Sequence, residues 1–135
     1  MKKSFFTAIA LFILAACSSP NPDIAGKWKL ISYGNAANPT PVVPDVDTSI
    51  NFNLNGEIDG NVGCNSFGGN YEVSGDTIVF RSIMSTMMYC EETSPQEQAV
   101  LGLFSDNVDL QFQMNGDALT ITSVDGASVV NLARK

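Results

Sequence analysis

From residue 27 onward, apolar and polar positions alternate in short runs separated by breaks rich in glycine, asparagine and proline. A period of two marks a strand with one buried face. Trp28 and Leu30 alternate with Lys27 and Lys29 within residues 27–33. Ile50, Phe52 and Leu54 alternate with Asn51, Asn53 and Asn55, and the run ends in Asn55-Gly56. That pair suits a type I′ hairpin turn, because both central residues tolerate positive φ. The chain would return over residues 57–62. Residues 71–73 and 77–80 flank Ser74-Gly75-Asp76 as a second hairpin. Val108, Leu110, Phe112 and Met114 alternate with Asp109, Gln111 and Gln113 in the most regular pattern of all. Asn115-Gly116-Asp117 turns that strand into Leu119-Thr120-Ile121, and Asp125-Gly126 turns the next into residues 129–132. Hairpins in series build an antiparallel sheet.

Two segments break the pattern. Residues 34–47 hold Pro39, Pro41 and Pro44 and read as a long loop. Ser94-Pro95-Gln96-Glu97 has the spacing of a capping box, with Ser94 as N-cap, Pro95 in the first turn and Glu97 reaching back. Ala99, Val100, Leu103 and Phe104 follow on one side at helical spacing, so a helix near 95–105, ending about Asp106-Asn107, covers the sheet. The expected fold is α+β and mostly β: a curved antiparallel sheet of about 7–8 strands with one capping helix. Whether such a sheet keeps an apolar pocket or fills it with side chains is left open by the pattern.

The first residues belong to a different class. Lys2 and Lys3 precede an apolar stretch over residues 5–14, and Leu14-Ala15-Ala16-Cys17 closes it. The stretch is far shorter than the roughly 20 residues that span hydrocarbon as a helix. It fits a cleaved signal whose last small residues place Cys17 at the new terminus; the plainer alternative is an ordinary signal peptide with a chance cysteine. Residues 1–16 are thus a lipoprotein signal peptide. Residues 17–23, with Ser18-Ser19-Pro20-Asn21-Pro22, form a lipidated tether, and residues 24–135 form one domain. Acyl chains on Cys17 would anchor the chain to a membrane, and Ser18 beside it favours the outer membrane of a Gram-negative envelope. Lipidation of Cys17 leaves Cys64 and Cys90 as an even pair in an exported protein, which favours a disulfide between them.

Charge and composition narrow the function. The chain holds 7 basic and 14 acidic residues, and loss of Lys2 and Lys3 with the leader makes it more acidic still. Such a surface argues against nucleic acid as a partner. There is no histidine, which removes the usual general base and the commonest metal ligand. The remaining chemistry would need paired carboxylates: Glu91 with Glu92, Asp45 with Asp47, or Glu57 with Asp59. All lie near turns or a helix start, where solvated acidic surface is the simpler reading. No catalytic residue, metal site or cofactor is expected.

A wider resemblance is carried by a set of short elements. Trp28 lies in the opening strand, followed by Asn55-Gly56-Glu57 and Gly60. Next come Gly63-Cys64-Asn65-Ser66-Phe67-Gly68-Gly69-Asn70-Tyr71, Thr86-Met87-Met88-Tyr89-Cys90, and Glu97 in the helix. In this order the chain resembles the META domain, the HslJ-like group of bacterial envelope proteins, over about residues 24–135. It departs from the pattern just before Cys90, where Met88 and Tyr89 stand in place of a basic residue. The resemblance implies a small β-rich domain with a disulfide and a role in envelope stress tolerance. It also singles out Gly63, Asn65, Gly68, Tyr71, Thr86, Met87 and Glu97 as structural or binding residues. It implies no particular reaction.

Met84, Met87 and Met88 beside Tyr89 admit two uses. They could serve as thioether ligands for Cu(I) or as an adaptable apolar surface, but packing of the sulfurs around the disulfide is the favoured expectation. The reading of the whole is a non-enzymatic, lipid-anchored envelope protein that binds a protein or small apolar ligand. The alternative is an inhibitor of an envelope-attacking protease or lysozyme, acting through the 34–47 loop.

Overall fold

A computed structural model describes residues 24–135. The leader, Cys17 and the tether lie outside the described residues. The strands are β1 (Gly26–Asn35), β2 (Thr40–Pro41), β3 (Ser49–Phe52), β4 (Glu57–Asn61), β5 (Ser66–Ser74) and β6 (Thr77–Ser85). After the helix α1 (Ser94–Leu103) come β7 (Asp109–Asn115), β8 (Ala118–Ser123) and β9 (Ser128–Arg134). Each strand from β3 to β9 pairs antiparallel with the next, and β9 pairs back onto β1, so the sheet closes. Eight strands form this antiparallel barrel, and β2 adds to the length of β1 that β3 leaves free. The expected sheet and helix are present, and closure removes nearly every open edge.

The interior is apolar. Trp28, Phe52, Phe80 and Phe104 are its largest buried side chains, with Leu30, Ile50, Ile58, Ile78, Leu110, Leu119 and Ile121 around them. Phe104 from the helix stacks on Phe80 with ring centroids 4.2 Å apart, and Val100 is buried beside it. The helix therefore covers one end of the barrel. At that end lie the β1–β3 loop, the β4–β5 turn and the β6–β7 connection, since antiparallel order sends alternate connections to opposite ends. The chain enters β1 at the other end, where the Arg134 guanidinium lies 4.1 Å from the Trp28 ring centroid and donates to the Ala25 carbonyl (2.7 Å).

One local feature was not expected, and three local expectations are corrected. A bulge between Leu30 and Ser32 shifts β1 by one residue, so Tyr33 is buried and Ile31 is exposed. Asn55 does not take positive φ; Gly56 does (+86°) and donates its N–H to the Asn53 carbonyl (3.1 Å). The turn is thus a longer loop closed by glycine and not type I′. The helix ends at Leu103, short of Asp106-Asn107. Val108, the first apolar position of the regular alternation, lies outside β7 and is exposed.

Candidate functional site

The sequence places Gly63 with Asn65 in one segment and Thr86 and Glu97 in two others, and the fold brings them together under the first turn of α1. Thr93 is the N-cap and its side chain makes no capping bond. The expected capping box is absent. Glu97 reaches across instead, accepting the Cys64 N–H, the Asn65 N–H (2.6 Å) and Asn65 Nδ2 (2.7 Å). Local spacing favoured the cap, but a carboxylate at this depth takes the donors of the β4–β5 turn, which would otherwise be left unbonded under the helix. Ser94 turns outward and accepts from Gln98 Nε2 (3.0 Å).

Asn65 is the centre of this latch. It is buried, and its Nδ2 also donates to the Met88 carbonyl (2.8 Å). Its Oδ1 accepts the Thr86 hydroxyl (2.8 Å) and the Met88 N–H (2.8 Å). Both amide hydrogens and both lone pairs are used. Gly63 has no room for a side chain: a Cβ there would come 2.8 Å from Glu97 Cγ and from Thr93 Cβ. The disulfide Cys64–Cys90 closes the same corner, with its Cα atoms 6.1 Å apart. Together these contacts fix residues 86–90 as they leave β6.

Two members of the motif lie apart from the latch. Tyr71 is buried on β5 against the edge of Phe52 (5.0 Å between centroids) and donates to the Asn53 carbonyl (2.8 Å). Burial pushes its phenol above the ordinary value. Gly68 meets only ordinary contact, its nearest neighbour being the Ile58 carbonyl at 3.6 Å from a built Cβ, and nothing in the structure explains a glycine there.

The methionines do not pack around the disulfide. Met84, Met87, Met88 and Tyr89 are 76%, 93%, 63% and 79% exposed, which overturns the favoured expectation for them. The latch spends its polar contacts on the backbone of Met88 and leaves the side chains outside. Between this segment and α1 lies a cleft of about 430 Å³, with Asn65 and Glu97 at its base and Met87, Met88, Leu101 and Gly102 among its walls.

The carboxylate pairs sit elsewhere. Asp59 accepts from Asn51 (2.7 Å) and Asn53 (2.9 Å), Glu57 from Asn55 (2.8 Å), and Asp47 from Lys135 (2.7 Å). Asp45, Glu91 and Glu92 are exposed. Among the described residues no three of His, Cys, Asp and Glu cluster as metal ligands, and no helix is long and apolar enough to cross a membrane.

One site residue was missed by sequence reasoning. Gln96 is fully buried, accepts the Val43 N–H (2.8 Å) and donates to the Val62 carbonyl (2.6 Å), tying the 34–47 loop to the barrel end. Its signal was a polar side chain one helical turn before Val100 and two before Phe104, on the buried stripe.

A family model of the META domain matches residues 22–135. The chain belongs to the META domain family. The META fold described above is similar to an NMR structure of a protein from Burkholderia xenovorans, with a TM-score of 0.66 at 18% identity, covering 99% of this chain and 97% of that one. It is also similar to the crystal structure of a DUF4847-family protein from Bacteroides vulgatus, with a TM-score of 0.58 at 16% identity, covering 84% of this chain and 96% of the other. At these identities the likeness is one of fold. No curated protein matches the chain.

Proposed function

We propose that this META domain protein is a lipid-anchored, non-enzymatic component of the cell envelope that supports stress tolerance by binding a protein or an apolar ligand. The observation that carries this reading is the exposed surface of Met84, Met87, Met88 and Tyr89 on a segment immobilised by the Asn65–Glu97 latch and the disulfide. Methionine side chains adapt to varied apolar partners, and a fixed backbone beneath them lowers the entropic cost of binding. Large apolar side chains are buried inside the barrel, and the outer cleft beside α1 is the proposed ligand site. Nucleic acid is no part of this reading, given the acidic surface.

The topology suits an anchored protein. Residues 24–26 enter the barrel at the end opposite α1, so lipid on Cys17 would hold that end to the membrane. Residues 18–23 reach at most ~20 Å when fully extended, which would keep that end of the barrel near the bilayer. The outer membrane is the proposed location. Cys17→Ala is expected to abolish recovery in the detergent phase, because no other apolar segment would hold the protein there. Recovery equal to wild type would refute the anchor.

Complementation of a deletion strain under envelope stress tests the binding surface. Met87→Ser with Met88→Ser is expected to lower survival at unchanged protein level and disulfide state, since losing an apolar contact worth ~1.4 kcal/mol weakens binding about tenfold. Neutralising Glu91, Glu92, Asp45 or Asp47 singly is expected to leave survival intact, since solvated carboxylates contribute little alone. Full survival of the methionine variant, or a null phenotype from one neutralised carboxylate, would overturn the reading.

A second reading, inhibition of an envelope-attacking hydrolase, is favoured by one observation. The expected 34–47 loop is broken by the end of β1 and by the short strand β2, and the stretch is held by bonds from Ala36 N–H to the Ala127 carbonyl (2.9 Å), from Val42 N–H to the Ile31 carbonyl (3.0 Å) and from Val43 N–H to Gln96 (2.8 Å). A loop so held is preformed, as entry into an enzyme cleft requires.

A further inference from the structure

The barrel has a seam where strand pairing stops early. β6 pairs with β5 as far as Ser85, but with β7 only through Thr77, Ile78 and Val79. Past that point two groups close the free side: the Asn107 N–H bonds the Phe80 carbonyl (2.9 Å), and Asp106 accepts the Ile83 N–H (3.0 Å). From Ser85 onward nothing among the described residues covers the edge.

The direction of each backbone group follows from the ladder. The Thr86 N–H bonds the Ser66 carbonyl (3.0 Å), which makes Ser66–Thr86 a hydrogen-bonded pair. The adjacent Phe67–Ser85 pair is then of the non-bonded kind, and Ser85 turns its N–H and C=O away from β5. Met88 turns both of its groups inward to Asn65, whose side-chain amide stands in for the next residue of a partner strand. Met87, between Thr86 and Met88, makes no backbone hydrogen bond to the described residues. Ser85 and Met87 thus leave a short row of backbone donors and acceptors available on a segment that also lines the cleft beside α1.

Natural barrels and sheets guard such edges with charge or proline. Residues 82–89 contain neither. Asp106 lies at one end of the seam, where Arg81 is engaged by Glu72 (3.1 Å) and Asn107, and Glu91 and Glu92 lie beyond the other end, so the rim is acidic on balance. None of the residues lining the cleft is basic. A second copy of this acidic chain, pairing edge to edge, would set like charges against each other.

We propose that this seam is a strand-addition site for an extended, apolar peptide segment of a partner protein with basic residues at its ends. Its backbone pairs with Ser85 and Met87, its successive side chains meet Met84 on one face and Met87 on the other, and its basic ends meet the acidic rim. This rests on the binding function proposed above and specifies its mode.

The test titrates the full chain with a short peptide alternating valine and threonine with lysine at each end, read by amide NMR and hydrogen exchange. Slowing of exchange by about tenfold or more at Ser85 and Met87 is expected, with a glutamate-ended peptide about tenfold weaker. A peptide N-methylated at alternate residues should lose binding, because its edge can no longer donate. Met87→Pro removes the backbone N–H and leaves the Asn65 bonds to Met88, so it should lose binding at an unchanged unfolding midpoint. Should that variant misfold, Met87→Lys keeps the backbone and repels the basic peptide. No protection at either amide, equal binding of the N-methylated peptide, or protection that appears without peptide as the chain dimerises would each overturn strand addition. If those results came with lost stress tolerance in the Met87→Ser, Met88→Ser variant, the binding function would stand and only this mode would fall.

Discussion

Glu97→Ala is expected to lower the stability of the folded protein by about 3 kcal/mol, read as a lower denaturant midpoint at unchanged slope. The carboxylate is buried and accepts three N–H groups: two from the backbone of Cys64 and Asn65 and one from the Asn65 side chain. A hydrogen bond to a charged group contributes roughly 1.5–3 kcal/mol, and bonds sharing one acceptor do not add in full. Removal also leaves the backbone donors under the helix without an acceptor, and frees the Asn65 amide that positions Met88. Faster hydrogen exchange at Cys64 and Asn65 should accompany the loss. Glu97→Gln should fall between alanine and wild type, since one oxygen still accepts while the new amide nitrogen meets Asn65 Nδ2, a donor facing a donor. A wild-type midpoint for Glu97→Ala would show that the latch contributes nothing to stability.

Joint replacement of Cys64 and Cys90 by serine is expected to cost about 3 kcal/mol, through the loop entropy that the bridge removes from the unfolded chain. The bridge closes a separation of 26 residues that contains β5, β6 and the methionine segment. Its neighbours in the latch are in contact with it, because Cys64 N–H bonds Glu97 directly. The Cys64/Cys90 and Glu97 changes should therefore couple by ~0.5–3 kcal/mol instead of adding. Peptide mapping without reductant, on protein recovered from the envelope, should find Cys64 and Cys90 joined. Free thiols at both positions would refute the bridge in the cell. A variant lacking the bridge but melting like wild type would leave it without a structural role.

Much of the architecture was legible because half-buried strands carry their period in the sequence. Trp28 and Leu30, Ile50 and Phe52, Leu110, and Leu119 with Ile121 were placed in strands by alternation, and all of them are buried. The glycine turns at 75, 116 and 126 were legible for the same local reason: each has positive φ, which few other residues tolerate. The ends of β5 and β6 were not legible, because residues 66–70 and 81–85 are polar or glycine-rich and alternate poorly. The bulge in β1 was hidden too, since Ile31 reads as one more apolar residue until the partner strand shows the slip.

The candidate site divides along the same line. By itself the sequence determined which residues were available: a cysteine pair, a Gly-Cys-Asn turn, a methionine-rich run and a glutamate at a helix start. It also determined the strand periodicity and the acidic balance of the chain, which follow from composition and order alone. Tertiary structure alone decided what those residues do. Glu97 bonds Cys64 and Asn65 instead of its own helix cap, Gln96 bonds Val43 and Val62, and the methionines face solvent. The reason is physical: a local motif ranks bonds within a few residues, whereas a buried polar group takes whichever donors or acceptors the closed barrel leaves within reach. Those partners lie 32 to 53 residues away along the chain, and no local period encodes them.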